Sequence, residues 1–264
     1  FDVLLIHEPI VPLLNWEIMN YPGTPKVGWF HATTQDDPWT FPNNLIAEPI
    51  QAMIKSKLDG MIALSDTVKT VWKKVFDKDG VVISGGVNVE KYLQAEARDL
   101  GDKDKFKVLF VGRLDERKGV LEVIKAMGEL VKKIDAVLWI VGNGPQFGEA
   151  WEKVAELDLG GKVRFVGRVE NYELPEYFKG ANVYCAPSLG GESLGLVLLE
   201  AMAAGCPIVA YANPGYKFTL TDYPWKEGLV PVKSYRKMAE ALEELAKSPE
   251  IVNRIKNWEK EKVK

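Results

Sequence analysis

Residues 190–210 read GGESLGLVLLEAMAAGCPIVA, and the reading of this stretch decides the fold. A glycine-rich turn leads into a short apolar helix, and a strand with no polar face follows at PIVA. Strands covered on both faces read as unbroken apolar runs, which is the mark of a parallel sheet with helices on either side. The pattern recurs outward along the chain. Apolar runs at FDVLLIH, KVGWFH, DGMIALS, GVVISGG, KVLFVGR, AVLWIVG, KVRFVGR and NVYCAPS alternate with helical stretches such as NLIAEPIQAMIKSKL, VLEVIKAMGELVKKI and FGEAWEKVAEL. This alternation predicts crossover units, and so an α/β fold of doubly wound parallel sheets. A polar stretch around residues 94–105 divides the runs into two groups. Two Rossmann-like domains are therefore expected, at 1–98 and 99–233. Residues 234–264 are expected as helices that pack back toward the N-terminal domain, with a break near Ser248-Pro249.

The 264 residues are 47% hydrophobic and 27% charged, as in ordinary globular proteins, and the net charge is −3. That balance supplies no basic surface for nucleic acid. No apolar run approaches the roughly 20 residues needed to cross a bilayer. Cys185 and Cys206 both sit in apolar runs and read as small buried hydrophobes, which suits a reducing, cytoplasmic setting. The chain starts at Phe1, already inside a strand-like run, so the first domain is expected to be incomplete.

Open parallel sheets bind ligands at the carboxyl ends of their strands. The two histidines, His7 and His31, each end a strand-like run. Arg113 and Lys118 follow KVLFVG and suit a diphosphate, one as a planar fork and the other as a mobile point charge; a solvated charged turn explains them equally. Gly142 and Gly144 in VGNGP allow a tight turn and a close approach to a ligand, or a turn and nothing more. At GGESLG, the amides of Ser193, Leu194, Gly195 and Leu196 would gather at a helix start, where anions bind. If Glu192 opens that helix, Glu200 stands about 12 Å further along its axis. A carboxylate at each end could then accept hydrogen bonds from the two hydroxyl-bearing ends of a nucleotide sugar. Asp77/Asp79 and Asp102/Asp104 form Asp-x-Asp pairs, but neither follows an apolar strand, and both read as solvated turns. No metal ligand is expected.

Taken in order, VGRLDERKG, VGNGP and ESLGLVLLE followed by AMAAGCPIVA resemble the retaining GT-B glycosyltransferases of family 4, over roughly residues 60–210. The resemblance implies two Rossmann-like domains, the N-terminal one here lacking its first strands and glycine-rich loop. It implies a nucleotide-diphosphate sugar, UDP- or GDP-linked, as donor substrate, without a further cofactor and without a metal. Arg113 and Lys118 would hold its diphosphate, Glu200 its ribose and Glu192 the hydroxyls of the transferred sugar, while His31 would face the reacting sugar. Gly86 matches the glycine before the interdomain linker. The acceptor is carbohydrate, lipid-linked or small, and the setting is cytoplasmic or at a membrane surface. The chain departs from the family at Ser84-Gly85, at Asn88, and after PIVAYA, where NPGYKFTLTDYPWKEG stands. Two other readings remain open: a glucan-synthase-like GT-B enzyme, and a nucleotide-sugar-binding half that works with a partner chain or a missing N-terminal segment.

Overall fold

A computed structural model describes residues 1–11, 14–31, 47–101 and 103–262. It separates into two compact units, residues 1–85 with 190–194, and residues 86–189 with 195–264.

The first unit carries a four-stranded parallel sheet in the order β1-β2-β3-β4. Its strands are β1 (Leu4–His7), β2 (Lys26–Phe30), β3 (Gly60–Ala63) and β4 (Val81–Val82), with helices α1 (Leu14–Met19), α2 (Ala47–Lys57) and α3 (Asp66–Phe76). The amphipathic stretch expected from Asn44 is described from Ala47 onward; its earlier residues lie outside the described ones. Helix α3 starts where Ser65 Oγ accepts the Val68 N–H at 3.3 Å, and it stops at Asp77, which adopts a left-handed conformation. Its buried face sets Trp72 against Phe30 and Phe76, with ring centroids 4.7 and 5.3 Å apart, at the centre of this unit's core.

The second unit carries six parallel strands in the order β10-β9-β8-β5-β6-β7. These are β5 (Phe106–Val111), β6 (Ala136–Val141), β7 (Val163–Gly167), β8 (Val183–Ala186), β9 (Ile208–Tyr211) and β10 (Leu229–Val230). The helices are α4 (Val89–Gln94), α5 (Val120–Leu130), α6 (Phe147–Glu156), α7 (Leu174–Gly180), α8 (Leu196–Ala204), α9 (Pro214–Thr219), α10 (Tyr235–Lys247) and α11 (Pro249–Lys262). Helices α5, α6 and α10 pack together, and α4, α7 and α11 pack with α8. Strands β8 and β9 are buried at every position, which is why they read as unbroken apolar runs.

Two expectations are corrected. The boundary expected at 98/99 lies at 85/86, because the polar stretch beyond it is tied to the second unit. Arg98 donates to Glu176 at 2.8 Å and to Glu173 at 3.1 Å, and it lies 4.5 Å from the centre of the Tyr177 ring. The C-terminal helices break at Ser248-Pro249; α10 packs on α5 and β9, and α11 on α8 and α10. Finally, α8 opens at Leu196 and not at Glu192, because Gly195 turns the chain with φ +69°. Among the described residues, no helix is long and apolar enough to cross a membrane.

Candidate functional site

Strands β5 and β8 are neighbours in the sheet, yet the chain leaves them in opposite directions, through α5 to β6 and through α8 to β9. A crevice opens at the carboxyl ends where strand order reverses in this way, and ligands of doubly wound sheets bind there. The turn after β5 and the segment after β8 are fastened to each other. Leu189 N–H and Ser188 Oγ both donate to the Arg117 carbonyl, at 2.8 and 3.1 Å, and Asn213 Nδ2 donates to the Ser188 carbonyl at 3.1 Å.

Arg113 and Lys118 lie on that first turn. Asp115 shapes it, its Oδ1 accepting the Lys118 N–H at 3.0 Å. Its other carboxylate oxygen is 3.6 Å from Arg113 Nε, and the Arg113 side chain is 70% exposed, so the guanidinium is held loosely. Gly142 and Gly144 are required by the protein's own backbone. A Cβ on Gly142 would stand 1.9 Å from the Gly112 carbonyl oxygen, and one on Gly144 would stand 2.4 Å from that of Leu114. The VGNGP turn therefore acts as the abutment of the Arg113 turn, which it also meets through Leu114 N–H to the Asn143 carbonyl at 3.0 Å. A cleft of about 630 Å³ beside the start of α5 includes Glu116, Glu122 and Glu149 against Lys125 and Lys233, an acidic balance unsuited to a diphosphate.

Helix α8 begins at Leu196 after Gly195, and no side chain caps it, so its first amides are presented at the crevice side of the sheet. Glu200 sits one turn in, half-buried. Burial raises its carboxyl above the usual range, while a hydrogen bond from the Tyr92 hydroxyl and the charge of Lys91 act the other way. Tyr92 is raised in turn, first by burial and then by the Glu200 charge. The sequence showed the Glu200 carboxylate but not Tyr92, which reaches it from α4 and carries no local pattern to mark it.

The first unit holds the remaining candidates. Residues 190–194 group with it, where Ser65 Oγ donates to the Ser193 carbonyl at 2.6 Å and Glu192 is buried. Glu192 thus lies on a loop, and the 12 Å helical spacing to Glu200 does not apply, since it assumed one continuous helix. His31 directly follows β2. Its Nε2 faces His7 Nδ1 at 2.7 Å, and its backbone N–H donates to Glu8 Oε1 at 2.6 Å. Burial first, and the neighbouring His7 second, hold the His31 pKa below the ordinary value. Glu8, Trp29 and Asn15, which complete this corner, carried no signal in the sequence.

The Asp-x-Asp reading as solvated turns agrees with the structure for the first pair. Asp79 is bonded to Lys69 and Lys73, which pull its pKa down to about 2, and the Asp77 side chain is 93% exposed. Asp102 lies outside the described residues. Among the described residues, no group of three or more histidine, cysteine, aspartate or glutamate side chains could hold a metal ion.

The family described as Glycosyl transferases group 1 matches residues 94–262. The phosphatidyl-myo-inositol mannosyltransferase of Mycolicibacterium smegmatis is 36% identical over 247 residues, which are 92% of this chain and 61% of that protein. A sucrose-phosphate synthase from Thermosynechococcus elongatus superposes with a TM-score of 0.80 at 23% identity, covering 100% of this chain and 69% of that one. HepE of Anabaena, solved with UDP, superposes with a TM-score of 0.74 at 18% identity, covering 98% of this chain and 74% of that one. At those identities the two structures speak to the fold, which is that of the GT-B glycosyltransferases.

Proposed function

We propose that this chain, which belongs to the glycosyl transferases group 1 family, binds a nucleotide-diphosphate sugar at the β5/β8 crevice and transfers the sugar to an acceptor hydroxyl. The observation that carries the reading is the crevice itself. It brings the turn that carries Arg113 and Lys118, an uncapped helix N-terminus and a half-buried carboxylate to the carboxyl end of one parallel sheet. Arg113, Lys118 and the first amides of α8 neutralise the departing diphosphate, with no metal ion needed for that charge. Glu200 accepts hydrogen bonds from the ribose hydroxyls. Glu192 holds hydroxyls of the transferred sugar, and His31 faces the reacting centre.

The transfer is of the retaining kind. The bond from the anomeric carbon to the diphosphate oxygen breaks, the acceptor oxygen bonds to the same face, and the acceptor proton passes to the departing phosphate. No protein nucleophile enters. The sugar is mannose and the acceptor an inositol-bearing lipid headgroup; the naming of the mycobacterial relative supports both. Such an acceptor brings the protein to the cytoplasmic surface of a membrane as a peripheral enzyme.

A thermal-shift panel of UDP-, GDP- and ADP-sugars on wild type and Glu200→Ala tests this. A ligand at 100 times its dissociation constant adds about 2.7 kcal/mol to stability. One nucleotide family is expected to shift the wild type and to lose most of that effect in Glu200→Ala. No shift with any of them, or an equal shift in both proteins, refutes the assignment.

A further inference from the structure

The chain contains two histidines, and the fold sets them ring to ring at the carboxyl ends of adjacent strands. His7 Nδ1 and His31 Nε2 are 2.7 Å apart, and the ring planes differ by 7°. Trp29 stacks on both rings, at 5.2 Å from each. The surrounding backbone is fixed. Glu8 takes a left-handed conformation at φ +46°, and its carboxylate accepts the His31 N–H. The Asn15 amide donates to the His7 and Glu8 carbonyls at 3.0 and 2.9 Å.

Two nitrogens at this distance hold one proton between them. If His7 Nδ1 carries it, His31 Nε2 is the acceptor, and the proton of the neutral His31 ring sits on Nδ1. If His31 Nε2 carries it, Nδ1 of His31 is a bare lone pair. Which hydrogen-bonding face His31 turns outward is therefore set by its neighbour. We infer that His7 is a positioning residue that selects the tautomer of His31 and, when protonated on its outer nitrogen, locks His31 as a neutral Nδ1–H donor. Charges on both rings would face each other directly across 2.7 Å, and burial already disfavours one on His31. Among the described residues, the Glu8 carboxylate is the other charged group bonded to this corner. The inference rests on the proposed role of His31 toward the reacting sugar: the donor form suits an oxygen gaining negative charge, and the bare form suits a hydroxyl proton.

Because only two imidazoles are present, 15N-histidine labelling reports both rings directly in the intact chain. As His7 is protonated, the His31 ring nitrogens are expected to move to the Nδ1–H pattern while that ring stays neutral. In His7→Phe, which keeps an aromatic ring beside Trp29, this response is lost and the His31 titration moves up toward the ordinary value. In His7→Gln the hydrogen bond remains but the tautomer no longer follows pH. A His31 tautomer that ignores His7 titration in the wild type overturns the inference, with no variant needed. So does an unchanged His31 titration in a folded His7→Phe protein. The same variant is expected to lower kcat for sugar transfer with donor affinity unaltered. The ring nitrogens report without substrate, so failure there is distinct from failure of donor binding, which tests the function.

Discussion

Gly119 closes the turn that carries Arg113 and Lys118, and replacing it with alanine tests the geometry of the crevice. It is left-handed, at φ +71° and ψ 35°, and a Cβ built there stands 2.2 Å from the Pro187 carbonyl oxygen. Atoms in contact need about 3 Å, so the turn and the segment leaving β8 must part by nearly 1 Å. The left-handed backbone costs about 1–2 kcal/mol for an L side chain. Overpacking against a backbone group costs a further ~1–3 kcal/mol. Alanine returns about 0.4–1 kcal/mol by stiffening the unfolded chain. The net loss is about 2–4 kcal/mol, or roughly 5–15 °C in melting temperature for a unit of this size. Gly148 is the control. It lies in α6 with no heavy atom within 4 Å of a built Cβ, so Gly148→Ala should be neutral or stabilising by about 0.5–1 kcal/mol. Calorimetric melting of both variants measures stability, and titration with the donor found above measures the site. Displacing the cationic turn should weaken donor binding at least about tenfold, since misplacement near 1 Å is felt strongly. A Gly119→Ala protein that melts with the wild type refutes the packing argument. One that melts early but binds donor normally refutes the placement of the diphosphate.

Three further perturbations probe other parts of the molecule. Glu259 in α11 is fully buried, with neither carboxylate oxygen hydrogen-bonded, and burial raises its pKa well above the usual value. The folded state then holds a proton that the unfolded state releases, so stability falls as pH rises above the ordinary carboxylate range. Glu259→Leu should add about 1–3 kcal/mol at neutral pH and flatten that fall, and urea unfolding at pH 5 and pH 8 reads both; equal slopes in the two proteins would sink the argument. Tyr92→Phe removes a hydrogen bond that lowers the Glu200 pKa, so the acid limb of donor binding should move to higher pH, as calorimetric titration across pH will show; superimposable profiles count against a ribose role for the Glu200 carboxylate. Trp72→Ala, in the stack with Phe30 and Phe76, should cost the first unit about 3–5 kcal/mol, visible as early proteolysis of residues 1–85, while unchanged resistance would contradict the stacked core.

The strand-and-helix order was legible because burial dictates it. Strands β5, β6, β8 and β9 are covered on both faces, and only apolar side chains can stand at nearly every position of such a strand. Strand β10, two residues long, leaves no periodicity to read. The polar stretch near Arg98 looked like a linker because polarity usually marks exposure, yet its charge is matched by Glu173 and Glu176 on a distant helix.

The same division holds at the site. From the sequence alone came the doubly wound parallel fold, the cationic turn after β5, the glycine turn after β6 and the carboxylate within α8. Each is a local pattern of residue type and spacing. Tertiary structure alone decided that the glycines of VGNGP make room for backbone, that Tyr92 meets Glu200, and that His7 faces His31. Those are contacts between segments far apart in the chain. Hydrogen bonding and steric exclusion act over a few ångströms of space, and no spacing along a sequence measures that.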